Sequence, residues 1–460
     1  MIPGINVGFP RILEPHVAIL QSLHAQLQAF ERTPQAQQRL LQARQLRSLL
    51  THARDHSPFW RDRLATASID PSVDLDLEVL QRLPPLTRQD IQTHSMAMRA
   101  RPPGWPDNAV VVHSTSGSTG MPVRVDKLAT LGKLLYDAVT LVQHRWHQRD
   151  ARKTVAVFSR KSRDSDNASW GPPISWFERV GRAVTLQILG HRVEEFHDLI
   201  QRHRPAYVVT TPSVVQALCE ITRRQQGPPL PVEHFVTSTE QVIPSLRDLA
   251  RETFGARITD CYSCEEVGFI AHQCPCHDHY HVHAGLLIVE VVDEDGRPCA
   301  PGQVGRVLLT SLHSYAMPII RYEVGDMAIP GAGCDCGIGL PVLSELVGRI
   351  RDTILMPDGS RRMLMLDVGK IAPEAGVLEH QVIQYACGTL ELLTRGPRPL
   401  SAEERKKITE RVLMALGPGV PVVFRETQEL NWTGLHKRKA LQRVDVRYQG
   451  PETAIAAAGL

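Results

Sequence analysis

The stretch His113-Ser114-Thr115-Ser116-Gly117-Ser118-Thr119-Gly120-Met121-Pro122 decides the fold. It follows a short apolar run, Ala109-Val110-Val111-Val112, that ends a strand-like segment. Between Thr115 and Gly120 stand only glycine, serine and threonine. Glycine lets the backbone turn tightly and bring its N–H groups against an anion, and the hydroxyls add donors. On chemistry alone the run reads either as an anion cradle or as a hydroxyl-rich surface turn. It is not a Walker loop, since its spacing differs and no Gly-Lys-Ser/Thr ends it.

Working outward, the totals narrow the class. A chain of 460 residues, 42% hydrophobic and 22% charged, can build more than one globular domain. Lys plus Arg number 52 and Asp plus Glu 49, a net charge of +3. Such a balance offers no basic excess for nucleic acid or an acidic membrane surface. Met1-Ile2-Pro3-Gly4 does not open a signal peptide, and no apolar run is long enough to span a bilayer. The expectation is a soluble, cytoplasmic protein. Nine cysteines, an odd number, point to thiols and a metal rather than a disulfide frame.

Before the loop, Leu40, Ala43, Leu46, Leu49, Leu50 and Ala53 recur at helical spacing between Pro34 and Pro58. Thr87, after Leu83-Pro84-Pro85-Leu86, is placed to cap a short helix. After the loop, strands and helices alternate. Val155 to Phe158, Tyr207 to Thr211, Phe235 to Thr237 and Arg257 to Thr259 read as strands, with helices opening at Pro212 and running from Pro244 to Phe254 before Gly255. Alternation of this kind implies parallel strands with ligands beyond their C-terminal ends, where Thr237-Ser238-Thr239-Glu240 and Asp260-Cys261-Tyr262 lie. Leu286 to Val292 and Val304 to Thr310 form a strand pair around the turn Asp293-Glu294-Asp295-Gly296.

Four phrases occur in order. The first is the loop above. The second, Tyr262-Ser263-Cys264-Glu265-Glu266, carries an aromatic ring and a carboxylate; Glu265-Glu266 alone also reads as a solvated acidic pair. The third is Arg321-Tyr322-Glu323-Val324-Gly325-Asp326, whose Asp326 could accept both hydroxyls of a vicinal diol or close a turn after Gly325. The fourth is Gly348-Arg349-Ile350-Arg351-Asp352. Together they resemble the signature of the adenylate-forming (acyl-CoA synthetase) superfamily, closest to its phenylacetate–CoA ligase-like branch. The resemblance covers nearly the whole chain.

What the resemblance implies is an α/β protein: a large N-terminal domain with mixed sheets, residues 1–350, and a small, mobile α+β domain, residues 351–460. Ser116, Gly117, Ser118, Thr119 and Gly120 would cradle the phosphates of ATP. Glu240 and Tyr262 would lie by the nucleotide, Asp326 on the ribose and Arg349 on ribose and phosphate. Glu266 would hold Mg²⁺, although Ser263 and Glu265 depart from the family phrase at that motif. Near the end, Thr433-Gly434-Leu435-His436-Lys437-Arg438-Lys439 is similar to Thr-x-x-Gly-Lys, which makes Lys437 the catalytic lysine, with Lys439 as the alternative register. Trp170, Trp176 and Phe177, in a Gly/Pro-rich aromatic loop, fall where the family places its acid pocket or else pack a surface loop.

Thiolate and imidazole are the ligands tetrahedral zinc prefers. Cys274-Pro275-Cys276-His277-Asp278-His279-Tyr280-His281 and Cys334-Asp335-Cys336 supply both, and similar pairs hold zinc in the resembling branch. The expected ligands of a structural Zn²⁺ are Cys274, His281, Cys334 and Cys336, with Cys276 and His279 in reserve. The implied activity is ATP-dependent conversion of a carboxylic acid, an aryl acid by the aromatic loop, to an acyl-adenylate. Transfer to CoA or to an acyl carrier protein follows; a homodimer and a free-amine acceptor are left open. A carboxylate- or nucleotide-binding homologue without catalysis is the alternative, because His436 and the altered tyrosine–glutamate phrase depart from the family.

Overall fold

The computed structural model describes residues 13–444, except 74, 115–122, 160–161, 188–192, 226–229, 350–353, 357–360, 363, 365, 367, 378, 417–419 and 428–440. Helices α1 (Pro15–Glu31), α2 (Gln35–His56), α3 (Pro58–Thr66) and α4 (Arg88–Met98) come first. Thr87 caps α4 in a capping box with Asp90, as its position predicts. In α2 the expected apolar face holds from Leu46 to Ala53, but Leu40 is 61% exposed. Gln38 and Gln42 are buried there instead. Gln42 donates to the carbonyls of Ala284 (2.9 Å) and Leu287 (3.2 Å), and Gln38 to Gly339 (3.0 Å). The first two turns meet exposed backbone rather than side chains, and backbone carbonyls need donors, not methyls.

Strands β1 (Val110–Ser114) and β2 (Arg124–Leu128) flank the glycine–serine loop antiparallel, and α5 (Ala129–Trp146) follows. Next come β3 (Val155–Ser159), β4 (Ser165–Asn167), β5 (Ala183–Gln187), α6 (Val193–His203), β6 (Tyr207–Thr210), α7 (Pro212–Gln225), β7 (His234–Ser238) and α8 (Pro244–Phe254). Gly255, at φ 69°, ends α8 in the left-handed conformation that glycine adopts freely. The run continues with β8 (Arg257–Cys264), β9 (Gly268–Gln273), β10 (Tyr280–Val282), β11 (Leu287–Val292), β12 (Gly305–Ser311), β13 (Tyr322–Pro330) and β14 (Val342–Arg349). Among the described residues, twelve of these strands form one sheet in the order β11-β12-β13-β14-β10-β9-β8-β7-β6-β3-β5-β4. Strands β5, β3, β6, β7 and β8 run parallel, joined by helical crossovers, and the β9-to-β12 half is antiparallel.

One face of the parallel half packs on α6, α7 and α8 through Phe196, Ile200, Val215, Leu218, Phe235 and Leu246. Full burial of each such side chain stabilises by roughly 1.5–3 kcal/mol relative to exposure. Strand β8 runs on to Cys264, so Asp260 is not at a strand end as expected. Its carboxylate is buried, accepting from Thr237 Oγ1 (2.8 Å) and Tyr280 Oη (2.9 Å). That pairing makes it a structural residue.

After β14 come β15 (Ile354–Leu355), β16 (Arg361–Arg362), α9 (Val368–Ile371), β17 (Glu379–Tyr385), β18 (Leu390–Arg395), α10 (Ala402–Leu416), β19 (Val422–Glu426) and β20 (Leu441–Val444). A separate four-stranded sheet, β19-β18-β17-β20, packs on α10 around Val382, Leu392, Ile408 and Val412. It touches the larger part through Arg395, whose Nη2 donates to both oxygens of Glu220 on α7 at 2.9 and 2.8 Å.

Candidate active site

The β8–β9 hairpin and the start of β13 carry the chemistry. Tyr262 Oη donates to Asp326 Oδ2 at 2.9 Å, and Tyr322 Oη donates to Glu266 Oε1 at 3.0 Å. Four inter-strand steps separate β8 from β13 in the sheet order. In a flat sheet those steps would hold them roughly 19 Å apart, at about 4.8 Å per step. Contacts this short require the antiparallel half to curl over, bringing the two strand ends face to face. Gly325, at φ 85°, supplies the left-handed residue just before Asp326. Arg349 is the register partner of Asp326 on β14. The curl thus unites three of the four sequence phrases.

Glu265 and Glu266 part company here. The Glu265 side chain is 53% exposed and lies 3.7 Å from His113 Nδ1; that of Glu266 is 7% exposed, with Arg88 Nη1 at 3.8 Å. A buried carboxylate held by one hydroxyl and a nearby guanidinium stays oriented, with its second oxygen available to a cation. Burial and the neighbouring Glu266 together push the Tyr322 hydroxyl well above the usual phenol range, so it remains a donor. Burial likewise raises the Cys264 thiol, which marks it as packing, not a nucleophile.

Beside Glu266 opens a cavity of about 380 Å³. Its lining includes Val111, Val125, Lys127, Tyr136, Val139 and Phe269. Tyr136 and Phe269 stack with centroids 4.7 Å apart, forming an aromatic wall between α5 and β9. The sequence reading missed both, though Tyr136 and Val139 share a face of the helix that follows the phosphate-type loop. Trp170, Trp176 and Phe177, expected in the acid pocket, are not among the residues lining this cavity. Trp170 Nε1 donates to Lys153 O (2.8 Å) and its ring meets Tyr207 edge-on at 5.7 Å. Trp176 meets His16 edge-on at 5.0 Å, and Phe177 packs with it against Leu20 and Ala138. Aromatic residues there fill the gap between α1, α5 and the sheet edge, a packing role.

Glu240 is turned to the protein. Its carboxylate accepts from Ser213 N (3.0 Å) and Ser213 Oγ (3.1 Å) at the start of α7. The preceding Thr239 sits at φ 74°, a conformation that a β-branched residue adopts only under tertiary constraint. Ser116, Gly117, Ser118, Thr119 and Gly120, together with Lys437 and Lys439, lie outside the described residues.

The cysteines and histidines meet at the other end of β9. Ligand atoms of Cys274, His279, His281 and Cys334 all lie within 4.8 Å of one another. Cys336 Sγ is 3.3 Å from His281 Nε2, and the Cys274 and Cys334 sulfurs are 3.8 Å apart. With Zn–S near 2.3 Å, a tetrahedral edge between two sulfurs is about 3.8 Å. Backbone N–H groups of Cys276 and Cys336 point at the sulfurs of Cys274 and Cys334, each at 3.4 Å. His279 Nε2 is buried without a hydrogen-bond partner among the described residues. Spacing, donor type and the orphaned nitrogen all fit a tetrahedral metal. Cys276 is exposed, whereas His279 stands among the converging donors.

The family model of the AMP-binding enzyme matches residues 31–315. The chain is 27% identical over 376 residues to the phenylacetate-coenzyme A ligase of Thermus thermophilus, covering 79% of this chain and 81% of that one. It is 26% identical over 308 residues to the Escherichia coli enzyme of the same name, covering 63% and 67%. Among solved structures, 2-hydroxyisobutyryl-CoA ligase in its postadenylation state, bound to R3-HIB-AMP, shares the fold at TM-score 0.72 and 20% identity, covering 91% of both chains.

Proposed function

The chain belongs to the AMP-binding enzyme family, and we propose that it is an AMP-forming ligase that converts a carboxylic acid to an acyl-adenylate with ATP and passes the acyl group to CoA. The observation that carries this reading is the pair of hydroxyl–carboxylate contacts, Tyr262–Asp326 and Tyr322–Glu266, with a largely apolar cavity beside Glu266. One carboxylate suits a ribose diol, the other a cation on the phosphates, and the cavity suits an acyl chain or ring. The relatives named above are phenylacetate–CoA ligases, which agrees with this division.

In the reaction, the acid carboxylate attacks the α-phosphate and pyrophosphate leaves. Two anions must meet, so fixed donors and cations offset their repulsion and the charge that develops. The loop 115–120 supplies backbone N–H groups and hydroxyls, and Lys437 a cation. Glu266 is the residue to hold Mg²⁺, which supplies charge neutralisation on the phosphates. Tyr136 and Phe269 form the wall against which a flat aryl acid stacks. Residues 1–350 act as the nucleotide and acid domain. Residues 351–460 act as the domain that turns between the two half-reactions, carrying Lys437 toward the phosphate and away. Cys274, His281, Cys334 and Cys336, or His279 in place of one of them, hold a Zn²⁺ that joins 274–281 to 334–336 and takes no part in the chemistry.

Pyrophosphate release from ATP across a panel of aryl and aliphatic acids, followed by thioester formation on adding CoA, tests the reading. No release with any acid would leave the chain a nucleotide-binding homologue. Release without thioester, but with an amide on adding amines, would reassign the acceptor.

A further inference from the structure

The cavity beside Glu266 is apolar along most of its wall, yet one side chain there is a cation that makes no ion pair among the described residues. Lys127, on β2 opposite Val111, lines the cavity. Among the described residues no carboxylate lies within 4 Å of its amine, and the adjoining loop 115–122 contains no acidic residue. The other cations of the lining are engaged. Lys133 pairs with Asp137 one turn along α5 at 2.5 Å, and His113 lies against Glu265. His313 is held toward its neutral form by burial. Glu266 already has the Tyr322 hydroxyl and Arg88.

We infer that Lys127 is the residue that receives the carboxylate of the incoming acid, holding it at the end of the cavity nearest Glu266. The placement has the right polarity. Cys264, Glu265 and Glu266, the tip of the β8–β9 hairpin, are the groups whose charges act on this amine. His113, two residues along β1 from Val111, lies 3.7 Å from Glu265, so this stretch of the β1–β2 pair adjoins the hairpin tip where the phosphates would sit, while Tyr136, Val139 and Phe269 line the cavity for the rest of the acid. Desolvation lowers the Lys127 pKa, with those neighbours partly opposing it. A charge carried into an apolar cavity is costly until an anion pairs with it. An acid entering head-first supplies that anion, and a neutral analogue of the same shape does not. Lys127 would thus select ionised acids over amides and alcohols, a specificity that the aromatic wall cannot provide.

The inference rests on the proposed ligase reading, and one experiment separates the two. Full-length wild type, Lys127→Met, Lys127→Gln and Lys127→Arg would be titrated calorimetrically with phenylacetate, phenylacetamide and a series of other acids with their primary amides. Pyrophosphate release with ATP would be measured on the same preparations. Wild type should prefer each bound acid over its amide by tenfold or more. In Lys127→Met and Lys127→Gln that preference should disappear while amide affinity is kept, and Lys127→Arg should retain most of it. The KM for acid should rise at least tenfold, with kcat changing less than threefold. An acid-to-amide ratio unchanged in the neutral variants would overturn the inference even if pyrophosphate forms normally. So would an altered Mg²⁺ requirement at an unchanged ratio, which would make Lys127 a counterion of the glutamate pair. A lost ratio in a chain that releases no pyrophosphate would uphold the inference and sink the ligase reading. Wild type that binds no acid would overturn the inference outright.

Discussion

The two ends of the β8–β9 hairpin make opposite uses of polar groups. At the turn and across the curl, the Tyr262 hydroxyl donates to Asp326 and the Tyr322 hydroxyl to Glu266, and each contact orients a carboxylate. Roughly 20 Å away, six residues down β9 at about 3.3 Å each, Cys274 meets His279, His281, Cys334 and Cys336, and these donors converge mainly on one another. On the proposed reading, one end meets a substrate that comes and goes and the other closes on a metal that stays. A site for turnover keeps acceptors partly free; a structural metal site consumes all its donors.

If that contrast is right, perturbing the cysteine end should destabilise and perturbing the turn should only slow. Cys334→Ser, or strong chelation, should cost more than about 4 kcal/mol of stability, read as a fall in Tm with metal content dropping from one zinc per chain. A metal-free purified protein of unchanged Tm would erase the contrast. Lys437→Ala should leave Tm unchanged yet slow adenylation on the order of a hundredfold, about 2.7 kcal/mol, while preformed acyl-adenylate still yields thioester. If Lys439→Ala has that effect instead, the register near the C-terminus shifts by two. Asp326→Ala should weaken ATP use by about 2 kcal/mol, the worth of hydrogen bonds to a charged group, visible in the KM for ATP.

Acid sharpens the comparison from the stability side. His147, just after α5, and His234, on β7, are buried, and burial, with nearby Arg149, lowers their pKa values to about 3 and about 2. The unfolded chain protonates them near pH 6.5 and the folded chain does not. Stability is therefore full above that pH and falls below it, by up to about 1.4 kcal/mol per pH unit for each histidine. His234→Gln should flatten the fall between pH 6.5 and 5 in urea midpoints; an unchanged slope would mean the ring is charged in the fold. The smallest effect belongs to Glu265→Gln, under about threefold in the Mg²⁺ requirement, set against a clear rise for Glu266→Gln. The reverse order would move the metal carboxylate by one residue.

Much of this was legible beforehand because it is local. Thr87 with Asp90 is a capping signal within four residues, Gly255 ends α8, and the turn at 293–296 joins its two strands as the composition predicts. The order of the loop, tyrosine–glutamate, aspartate and arginine phrases was enough to expect the fold. Glutamine in place of leucine on the buried side of α2 was not legible, since periodicity cannot foresee that a helix will face backbone carbonyls. The aromatic pair beside Glu266 was not legible for a similar reason. Trp170, Trp176 and Phe177 look like a wall in one dimension, whereas Tyr136 and Phe269 come from an ordinary-looking helix and strand 133 residues apart that happen to stack.

What the sequence determined by itself, then, is which residue types exist and where most helices and strands lie, β8 running past its expected end, because caps, turns and periodicity act over a few residues. What only the tertiary structure decided is which of them meet. Tyr262 and Asp326 are 64 residues and four strand steps apart, and 2.9 Å separates their oxygens only because the antiparallel half of the sheet curls. Cys274 and Cys334 likewise approach across 60 residues, and Lys127 enters a cavity whose far wall is β9. Such meetings depend on strand register and twist summed over the whole sheet, and no short window of sequence contains that sum.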